Sequence, residues 1–489
     1  MGHGSPLFRR YGSEGIPRHG RKPGDLFVNQ MSSWYEPSGI KTLACLARYS
    51  AVLSRFPSSL ASRIKSPPRR HCRPSLLPLL EHEPLVGISF KSEVVQLTMV
   101  KTMVILGAGP GGIPAAHYLL KHTAPRVAGG IKVVIVAPNT HLFWCFAAVR
   151  AILPDMLADD KVFVPIAPAF AKYPSEQYEI VLGKAEKVDP GSNTVQVTGN
   201  DGSSRAIPYD ELIVATGSTF KEDMPFKTIA NTDTTKQALH TWQQRIKNAK
   251  SIVIAGGGFT GVEVAGELGQ EYASTGLKEI TLIVSDDLPF DPKYAASVRE
   301  AAKRTLEGLK VKVITNAKVQ NSSSSSSSTA ITLLSRGKTS TLEADLFLPT
   351  YGIKPNTSFL PDSMLDERGF VNQTKYLQAQ GHDNIWVVGD AGNLQDPTGK
   401  NTDEQVVHLV KILEARLVEN SKDLPEYKPD PKIMMGVSIG RNKGTGQMGG
   451  WKVWSLLIWF AKGRYLGTNH AQDFVAGTRT MTVQKNWGQ

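Results

Sequence analysis

The stretch MVILGAGPGGIPAAHYLL (residues 103–120) places glycines at GxGxxG spacing directly after an apolar run that predicts a β-strand. Those glycines are Gly107, Gly109 and Gly112, and Gly111 lies beside the third. At this spacing the first glycine allows a tight turn, the second lets backbone N–H groups approach a pyrophosphate, and the third lets the following helix pack closely. The stretch therefore predicts a dinucleotide-binding strand–turn–helix unit, with these four glycines at its phosphate loop.

A second stretch, SIVIAGGGFTGVEVAGEL (residues 251–268), repeats the pattern with Gly256, Gly258 and Gly261. One such loop is a weak signal, because glycines also serve ordinary strand-to-helix turns. Two loops with the same apolar strand before them and the same helix after them predict two dinucleotide sites in one chain.

Two more apolar runs, ELIVATGS (residues 211–218) and NIWVVGDAGN (residues 384–393), predict strands with small residues at their ends. The terminal residues are Ala215, Thr216 and Gly217 in the first run, and Gly389 and Asp390 in the second. A Gly-Asp end puts a carboxylate where backbone approach is close, which suits a hydrogen bond to a ribityl or ribose hydroxyl. Each run alone is equally consistent with an ordinary strand-to-loop turn.

In this order the four signals resemble the FAD- and NAD(P)H-dependent two-dinucleotide flavoproteins over roughly residues 99–489. The resemblance implies an α/β fold of two Rossmann-like domains, with the NAD(P)H domain inserted in the FAD domain, and FAD and NAD(P)H as cofactors. The implied parts are an FAD-binding domain at 99–225 and 346–425, an NAD(P)H-binding domain at 226–345, and a C-terminal cap at 426–489.

Within the second domain the strand EITLIVS (residues 279–285) precedes a predicted β-meander. A serine run at residues 322–328 is low in complexity and predicts a flexible loop there. LFLPTYGIKPN (residues 346–356), which contains Gly352, is predicted to return the chain to the first domain, with Gly352 at the cofactor site.

The segments THLFWCFAAVRAILP (residues 140–154) and GVSIGRNKGTGQMGGW (residues 436–451) resemble the ferroptosis suppressor proteins, the AMID-type homologues of apoptosis-inducing factor, in a form typical of fungi. That group is similar to type II NADH dehydrogenases. The resemblance implies an enzyme that carries electrons from NAD(P)H through FAD to a quinone or similar acceptor. A hypothesis of another class is a flavin-carrying redox sensor or binding protein, like the apoptosis-inducing factors.

The cysteines are Cys45, Cys72 and Cys145, and no two of them have redox-motif spacing, so a dithiol relay is not expected. Cys145 lies near the position where single-cysteine NAD(P)H peroxidases and coenzyme A disulfide reductases keep theirs, and these remain alternative enzymes. The glycine that usually follows such a cysteine is replaced by Phe146, which favours a buried small hydrophobe.

Glu263 lies two residues after Gly261, in the first turn of the second nucleotide-binding helix. In relatives that keep a redox cysteine, a basic residue a few positions later pairs with this glutamate near flavin N5. Arg150 fits that position, so Glu263 and Arg150 are the predicted catalytic and cofactor-contacting residues. Opposed charges there would shape the nicotinamide pocket and stabilise developing charge.

Neither fold has a clear acid at the end of its second strand, where one usually binds the ribose. The first fold offers only Asn139, and the second ends at Ser285 before Asp286 and Asp287. The preference between NADH and NADPH therefore stays open.

The composition fits a large enzyme, with 489 residues of which 41% are hydrophobic. No apolar run reaches the 18 residues of a transmembrane helix, and three cysteines favour a reducing compartment. The net charge is +12, but residues 1–98 hold 14 Lys and Arg against 6 Asp and Glu. The enzyme body is thus only mildly basic, and neither a nucleic-acid partner nor a metal site is expected.

Residues 1–98 are rich in Arg, Ser and Pro and lack a steady period. This composition fits a transit peptide, a disordered tail or a misassigned start. Pro6 stands where a myristoylation signal needs Ser or Thr, so that modification is not supported. We expect a cytoplasmic protein, peripheral to membranes, with a mitochondrial location as the alternative if the extension is a transit peptide.

The cap segment GGWKVWSLLIWFAKGRYLG (residues 449–467) is predicted to touch a membrane or to form a hydrophobic acceptor route. Its apolar residues are Trp451, Trp454, Leu456, Leu457, Ile458, Trp459 and Phe460, and its flanking cations are Lys452, Lys462 and Arg464. The alternative is packing against the FAD domain or a second subunit, since apolar residues fall on almost every side of the helix. A mixed arrangement would keep the tryptophans at the rim and the leucines inside.

Overall fold

A computed structural model of the protein describes residues 99–220, 222–325, 328–481 and Trp487. The expectations for residues 1–98, including Cys45 and Cys72, lie outside the described residues.

The first domain is built on a seven-stranded sheet. Its first part contains the strands Lys101–Leu106 (β1), Ile131–Ala137 (β2), His141–Phe143 (β3), Phe163–Pro165 (β4), Tyr178–Asp189 (β5), Thr194–Gly199 (β6), Ser204–Pro208 (β7), Glu211–Val214 (β8) and Ser218–Phe220 (β9). Its helices are Gly112–Tyr118 (α1), Ala148–Ala151 (α2), Asp159–Val162 (α3) and Ala167–Phe170 (α4). The strand order β18-β8-β1-β2-β5-β6-β7 includes a later strand, β18 (Ile385–Val387).

In this sheet β18, β8, β1, β2 and β5 run parallel, whereas β6 and β7 add an antiparallel extension. The central strands β1 and β8 are buried on both faces, which is why they read as continuous apolar runs rather than alternating ones. Parallel strands bring their carboxyl ends to one edge, so the ends of β1, β8 and β18 lie side by side.

The second domain has its own four-stranded parallel sheet, in the order β12-β11-β10-β16, and a three-stranded antiparallel meander, β13-β14-β15. Its strands are Ser251–Ala255 (β10), Glu279–Ile283 (β11), Lys312–Ile314 (β12), Ala317–Ser324 (β13), Thr329–Ser335 (β14), Lys338–Ala344 (β15) and Leu346–Pro349 (β16). Its helices are Thr232–Asn248 (α5), Phe259–Leu268 (α6) and Ala296–Gly308 (α7). The α/β class with two Rossmann-like parallel sheets and the predicted meander are confirmed.

One sequence-based boundary is corrected. The run predicted to re-enter the first domain at residue 346 forms β16, which pairs in parallel with β10 and completes the second sheet. Re-entry comes one strand later, where Ile353–Pro355 (β17) pairs antiparallel with β9. The chain stays in the second domain through residue 349, because β16 is the apolar strand that pairs with β10 at this side of the sheet.

The serine run is not wholly a loop. Ser322 to Ser324 continue β13 and pair with residues 329–331 of β14, because serine side chains tolerate the exposed face of a hairpin. The turn begins at Ser325, whose N–H donates to the Ser328 carbonyl at 2.8 Å.

The chain then runs through β18 and the helix Gly399–Leu417 (α8) into the cap. The cap contains an antiparallel sheet of Met434–Ile439 (β19), Lys443–Met448 (β20) and Trp451–Val453 (β21), followed by the helices Ser455–Ile458 (α9) and Ala471–Val475 (α10). Three helices continue directly into π turns: Leu119–Thr123 after α1, Gly269–Ala273 after α6 and Trp459–Gly463 after α9.

The cap lies directly on α6. A Cβ added at Gly266 would come within 2.6 Å of the Gly440 backbone nitrogen, so the two backbones meet without side chains between them. Among the residues that the structure describes, no helix combines the length and apolar character needed to cross a bilayer.

His117 joins α1 to α10 and is only 1% exposed. Its Nε2 bonds to the Val475 carbonyl at 2.8 Å and its Nδ1 to the Tyr173 hydroxyl at 2.9 Å. The carbonyl can only accept, so Nε2 carries the proton and Nδ1 accepts from Tyr173. Burial lowers the pKa of His117 from 6.5 to about 4.

We expect this histidine to weaken the fold in acid. The neutral ring is preferred in the folded state, so its contribution is complete above pH 6.5 and falls by about 3 kcal/mol as the pH drops toward 4. His117→Gln should therefore flatten the loss of stability between pH 6.5 and 4 in urea unfolding. His382→Gln, at a partly exposed histidine outside this contact, is the matched control. Equal slopes in wild type and His117→Gln would contradict the assignment.

Candidate functional site

The first glycine loop follows β1 and opens α1, as its spacing predicts. Gly107 has φ +105°, and a Cβ there would lie 2.4 Å from the Ala215 carbonyl oxygen. A Cβ on Gly112 would lie 1.8 Å from the Gly107 oxygen, whereas one on Gly109 would meet nothing within 4 Å. Gly107 and Gly112 thus make the turn and the close packing, and Gly109 leaves the backbone open to a ligand.

The second loop repeats this geometry between β10 and α6. Gly256 has φ +122°, and a Cβ on Gly261 would lie 1.9 Å from the Gly256 oxygen. Gly258 has open space where a Cβ would stand. In both loops the first glycine makes the turn, the third packs against it and the second leaves the backbone open. The chain therefore has two places where a pyrophosphate could bind at a helix N-terminus.

A cavity of about 1570 Å³ begins at the first loop and extends to the cap. It is larger than the roughly 300–1,000 Å³ typical of sites for drug-sized ligands, which suits a dinucleotide. The predicted residues on its wall are Gly107, Gly109, Gly111, Ala215, Thr216, Gly217, Gly389, Asp390 and Glu263, together with Cys145 and Asn139.

The remaining predicted residues lie off this wall: Gly112, Gly256, Gly258, Gly261, Gly352 and Arg150. Gly112 acts behind the first loop through its contact with Gly107. Gly352 has φ +75° and forms the turn between β16 and β17.

One residue on the cavity wall suits a bound dinucleotide. Asn139 follows the end of β2, where the ribose-binding residue of this fold lies, and its Oδ1 is buried without a hydrogen-bond partner. A buried acceptor without a donor costs free energy unless a ligand satisfies it. Asn139 could therefore accept a hydrogen bond from a ribose hydroxyl. It is also the only polar residue that the sequence offers at this position of the first fold.

Asp390 lies at the end of β18, in the short 3₁₀ turn Gly389–Ala391. Gly389 has φ +74° and donates its N–H to Gln405 Oε1 at 2.8 Å, which fixes the turn. Oδ2 of Asp390 accepts from Ser218 Oγ at 2.9 Å and from Lys227 Nζ. The carboxylate is thereby held at the cavity beside a cation that the sequence did not reveal.

Glu263 is buried on α6 and reaches the cavity from the second domain. Its Oε1 accepts from the Ser438 backbone N–H at 3.0 Å and from the Ser438 hydroxyl at 2.9 Å. The same oxygen lies 2.6 Å from Nζ of Lys462. Both partners come from the cap, so Glu263 joins the nucleotide-binding helix to the C-terminal part of the chain.

The predicted pair between Arg150 and Glu263 is wrong. Arg150 on α2 binds Glu267, one helical turn further along α6, with Nη2 2.7 Å from Oε1. Burial raises the pKa of Glu267 while the Arg150 guanidinium opposes that rise. Lys462, not Arg150, is the cation that pairs with Glu263. The sequence does not show that the cap packs against α6, so this pairing was not predicted.

Cys145 begins the short 3₁₀ turn Cys145–Ala147 and faces the cavity. Burial raises the pKa of its thiol to about 11, an effect that nearby Lys227 only partly offsets. At neutral pH the sulfur is therefore a thiol, which is a poor nucleophile.

At the second ribose position, Asp287 is engaged by Arg299, whose Nη2 lies 2.9 Å from its Oδ1. Arg299 also donates to the Pro289 and Leu288 carbonyls. Asp286 is exposed and accepts from the Ser285 hydroxyl at 3.3 Å. The guanidinium near this strand end is thus already committed to protein acceptors.

The residues that sequence reasoning missed are Ser218, Lys227, Ser438 and, as a partner of Glu263, Lys462. Lys227 follows β9 in a stretch without a motif, and Ser438 and Lys462 reach α6 only through the packing of the cap. The only local signal for Lys462 is its place among the cations that flank the apolar run of the cap, and that position does not indicate a partner on α6.

Comparison with known proteins agrees with this geometry. The family model of the pyridine nucleotide-disulphide oxidoreductases matches residues 101–408. Oxidoreductase ptaL of Pestalotiopsis fici is 38% identical over 359 residues, covering 73% of this chain and 94% of that protein. Ferroptosis suppressor protein 1 of Homo sapiens is 28% identical over 374 residues, covering 74% of this chain and 93% of that protein. The resemblance stated from the sequence is confirmed.

Solved structures share the fold at low identity. NDH2 from Plasmodium falciparum in complex with NADH has a TM-score of 0.61 at 13% identity, covering 77% of this chain and 96% of that one. The sulfide:quinone oxidoreductase of Aquifex aeolicus has a TM-score of 0.61 at 17% identity, covering 77% and 92%. Two glycine loops on two Rossmann-like sheets, with a family match over more than half of its length, show that the chain belongs to the pyridine nucleotide-disulphide oxidoreductase family.

Proposed function

We propose that this protein is an FAD-dependent NAD(P)H oxidoreductase that passes electrons to a quinone-type acceptor. The observation that carries the proposal is the continuity of one cavity from the first glycine loop and Asp390, past Glu263, to Met434 and Met435 of the cap. Such a cavity allows a dinucleotide and a second, apolar reactant to lie in one space. The resemblance to the ferroptosis suppressor proteins and the fold shared with a sulfide:quinone oxidoreductase support an acceptor of this class.

Each part of the site would hold a different part of the two cofactors. The Gly107–Gly112 loop would hold the FAD pyrophosphate, Asn139 the ribose and Asp390 the ribityl chain. The Gly256–Gly261 loop would hold the pyrophosphate of NAD(P)H, and Glu263, on the helix that follows this loop, would contact the nicotinamide. Bound FAD supplies a carrier that takes two electrons from NAD(P)H and gives them to the acceptor.

The protein's own contribution is to fix charges in advance. Lys227 lies beside Asp390 and Lys462 beside Glu263, so both of these carboxylates have a cation already in place. Preorganised charges need no rearrangement when charge shifts between reactants. Lys462 Nζ is also a donor that an acceptor oxygen could reach from the cap side.

An acceptor screen with the full-length protein tests the proposal. NADH and NADPH are each combined with a short-chain quinone, hydrogen peroxide or coenzyme A disulfide. We expect quinone turnover within the usual enzymatic range of roughly 1–10³ per second. Slow oxidation with a persistent charge-transfer complex would favour a redox sensor instead.

Cys145 separates the quinone reductase from the single-cysteine alternatives. Because its thiol is protonated at neutral pH, we expect Cys145→Ser to retain quinone turnover within about twofold. A peroxidase or coenzyme A disulfide reductase would lose all activity in this variant. The control is Cys145→Ala, which preserves the small volume without a hydroxyl and should behave alike.

We further propose that the cap docks on an anionic lipid surface. Trp451 is 83% exposed and Trp454 78%, and Leu456, Leu457 and Phe460 are also exposed. The mixed arrangement, with the tryptophans at the rim and the leucines inside, is wrong, because only Ile458 of this run is buried, against Gly436, Gly444 and Gly446. The exposed residues with Lys452 and Arg464 form a surface of apolar and cationic character that suits the headgroup boundary.

Liposome flotation at low salt tests this docking. We expect the wild-type protein to float with vesicles that contain anionic lipid. The affinity of Trp451→Ser/Trp454→Ser for these vesicles should be lower by about tenfold or more. Leu277→Ser, which removes a largely exposed apolar side chain from the second domain, is the control. Wild-type protein that stays wholly in the soluble fraction would show that the cap does not dock on lipid.

A further inference from the structure

Helix α6 carries two buried carboxylates one turn apart, and each meets a cation from another part of the chain. Glu263 meets Lys462 of the cap at 2.6 Å, and Glu267 meets Arg150 of the first domain at 2.7 Å. Residues four apart lie on the same helix face. The two ion pairs are therefore neighbours at the junction of both domains and the cap.

Arg150 makes more bonds than a charge pair requires. Its Nε and Nη2 both donate to Glu267, at 3.0 and 2.7 Å. Nη2 also donates to the Gly463 carbonyl at 2.9 Å, and Nη1 to the Arg464 carbonyl at 3.3 Å. These carbonyls directly follow Lys462, so the planar guanidinium fixes the main chain that carries this lysine.

The side chain of Arg150 is 7% exposed and that of Glu267 is 1% exposed, and neither lines the cavity. Arg150 therefore cannot touch a cofactor in this arrangement. Lys462 and Glu263 do line the cavity. Whatever Arg150 contributes to the reaction must pass through them.

We propose that Arg150 is a positioning residue that holds Lys462 against Glu263 where the cap meets the cavity. By fixing the Gly463 and Arg464 carbonyls, it keeps Nζ of Lys462 where it can donate a hydrogen bond to an acceptor oxygen. This inference rests on the proposed quinone reductase function.

The effect of Arg150 is confined to the acceptor. Glu263 keeps the two hydrogen bonds from Ser438 when the turn that Arg150 holds is loosened, because these bonds come from β19. The nicotinamide side of the site is thus preserved. Loss of Arg150 should change the reaction with quinone far more than the reaction with NADH.

The test uses full-length holoenzyme with Arg150→Lys, which keeps a charge for Glu267 but cannot bind both carbonyls. A second variant, Arg150→Gln/Glu267→Gln, removes the buried charges together in case the first folds poorly. We expect the KM for a short-chain quinone to rise about tenfold or more, with flavin reduction by NADH changed by less than about twofold. The surface variant Arg304→Lys on α7 is the control.

A double-mutant cycle shows whether Arg150 acts through Lys462. We expect Arg150→Lys/Lys462→Gln to be no worse with quinone than Lys462→Gln alone. Additive losses, or an equal fall in both half-reactions, would overturn the inference.

Hydrogen exchange gives a readout that does not depend on the acceptor. Amides of residues 459–466 should exchange faster in Arg150→Lys, while those of α6 keep their protection. Unchanged exchange would overturn the positioning role. Faster exchange in a protein whose wild type reduces no quinone would support the positioning role and refute the proposed function.

Discussion

Asp390→Ala is expected to yield protein that has lost most of its flavin. Asp390 lies at the cavity beside Lys227 and Ser218, where its carboxylate would bind the ribityl chain. A charge-assisted hydrogen bond of this kind is worth about 1.5–3 kcal/mol, or about 10- to 150-fold in FAD affinity. The measurement is the flavin-to-protein absorbance ratio after dialysis, followed by FAD titration.

Asp390→Asn is the matched control because it keeps the shape and one acceptor oxygen. It should retain more flavin than Asp390→Ala. Asp345→Ala tests for general effects, since Asp345 is also a strand-end carboxylate but caps β10 far from the first loop. Full flavin occupancy in Asp390→Ala would remove Asp390 from the FAD site.

Glu263→Ala is expected to slow flavin reduction by NADH about 10²- to 10³-fold while FAD affinity changes little. The carboxylate lines the cavity on the NAD(P)H-domain side and holds both Ser438 and Lys462. Its removal takes away a fixed charge and leaves Lys462 without its partner. Stopped-flow mixing of oxidised protein with NADH measures this step.

Glu263→Gln separates charge from shape. It keeps an acceptor for the Ser438 N–H but loses the fixed negative charge at the cavity, so we expect an intermediate rate. Glu271→Gln, which removes the partially exposed partner of Arg441 on the π turn after α6, should reduce at the wild-type rate. A wild-type rate in Glu263→Ala would refute the assigned role.

Local sequence was enough to predict the parts of the site that lie on one strand-to-helix turn. The spacing of Gly107 and Gly112 follows from a close backbone approach that only glycine permits, because a Cβ on Gly112 would lie 1.8 Å from the Gly107 oxygen. Gly256 and Gly261 repeat this geometry. The strand ends at Ala215 and Asp390 were readable because parallel strands align their carboxyl ends.

Contacts between distant segments were not predictable in this way. The cation beside Glu263 comes from the cap, and the choice of Lys462 over Arg150 depends on how β19 packs on α6. Nothing local distinguishes the two cations. The exposure of Leu456 and Leu457 was equally hidden, because an apolar run does not reveal which of its faces is covered.

The most direct measurement of the central claim is reoxidation of the NADH-reduced protein by a short-chain quinone, followed anaerobically by stopped flow. The account predicts that flavin absorbance returns at about 10 per second or faster, with one quinone consumed per flavin. A flavin that stays reduced in the presence of excess quinone would contradict the account.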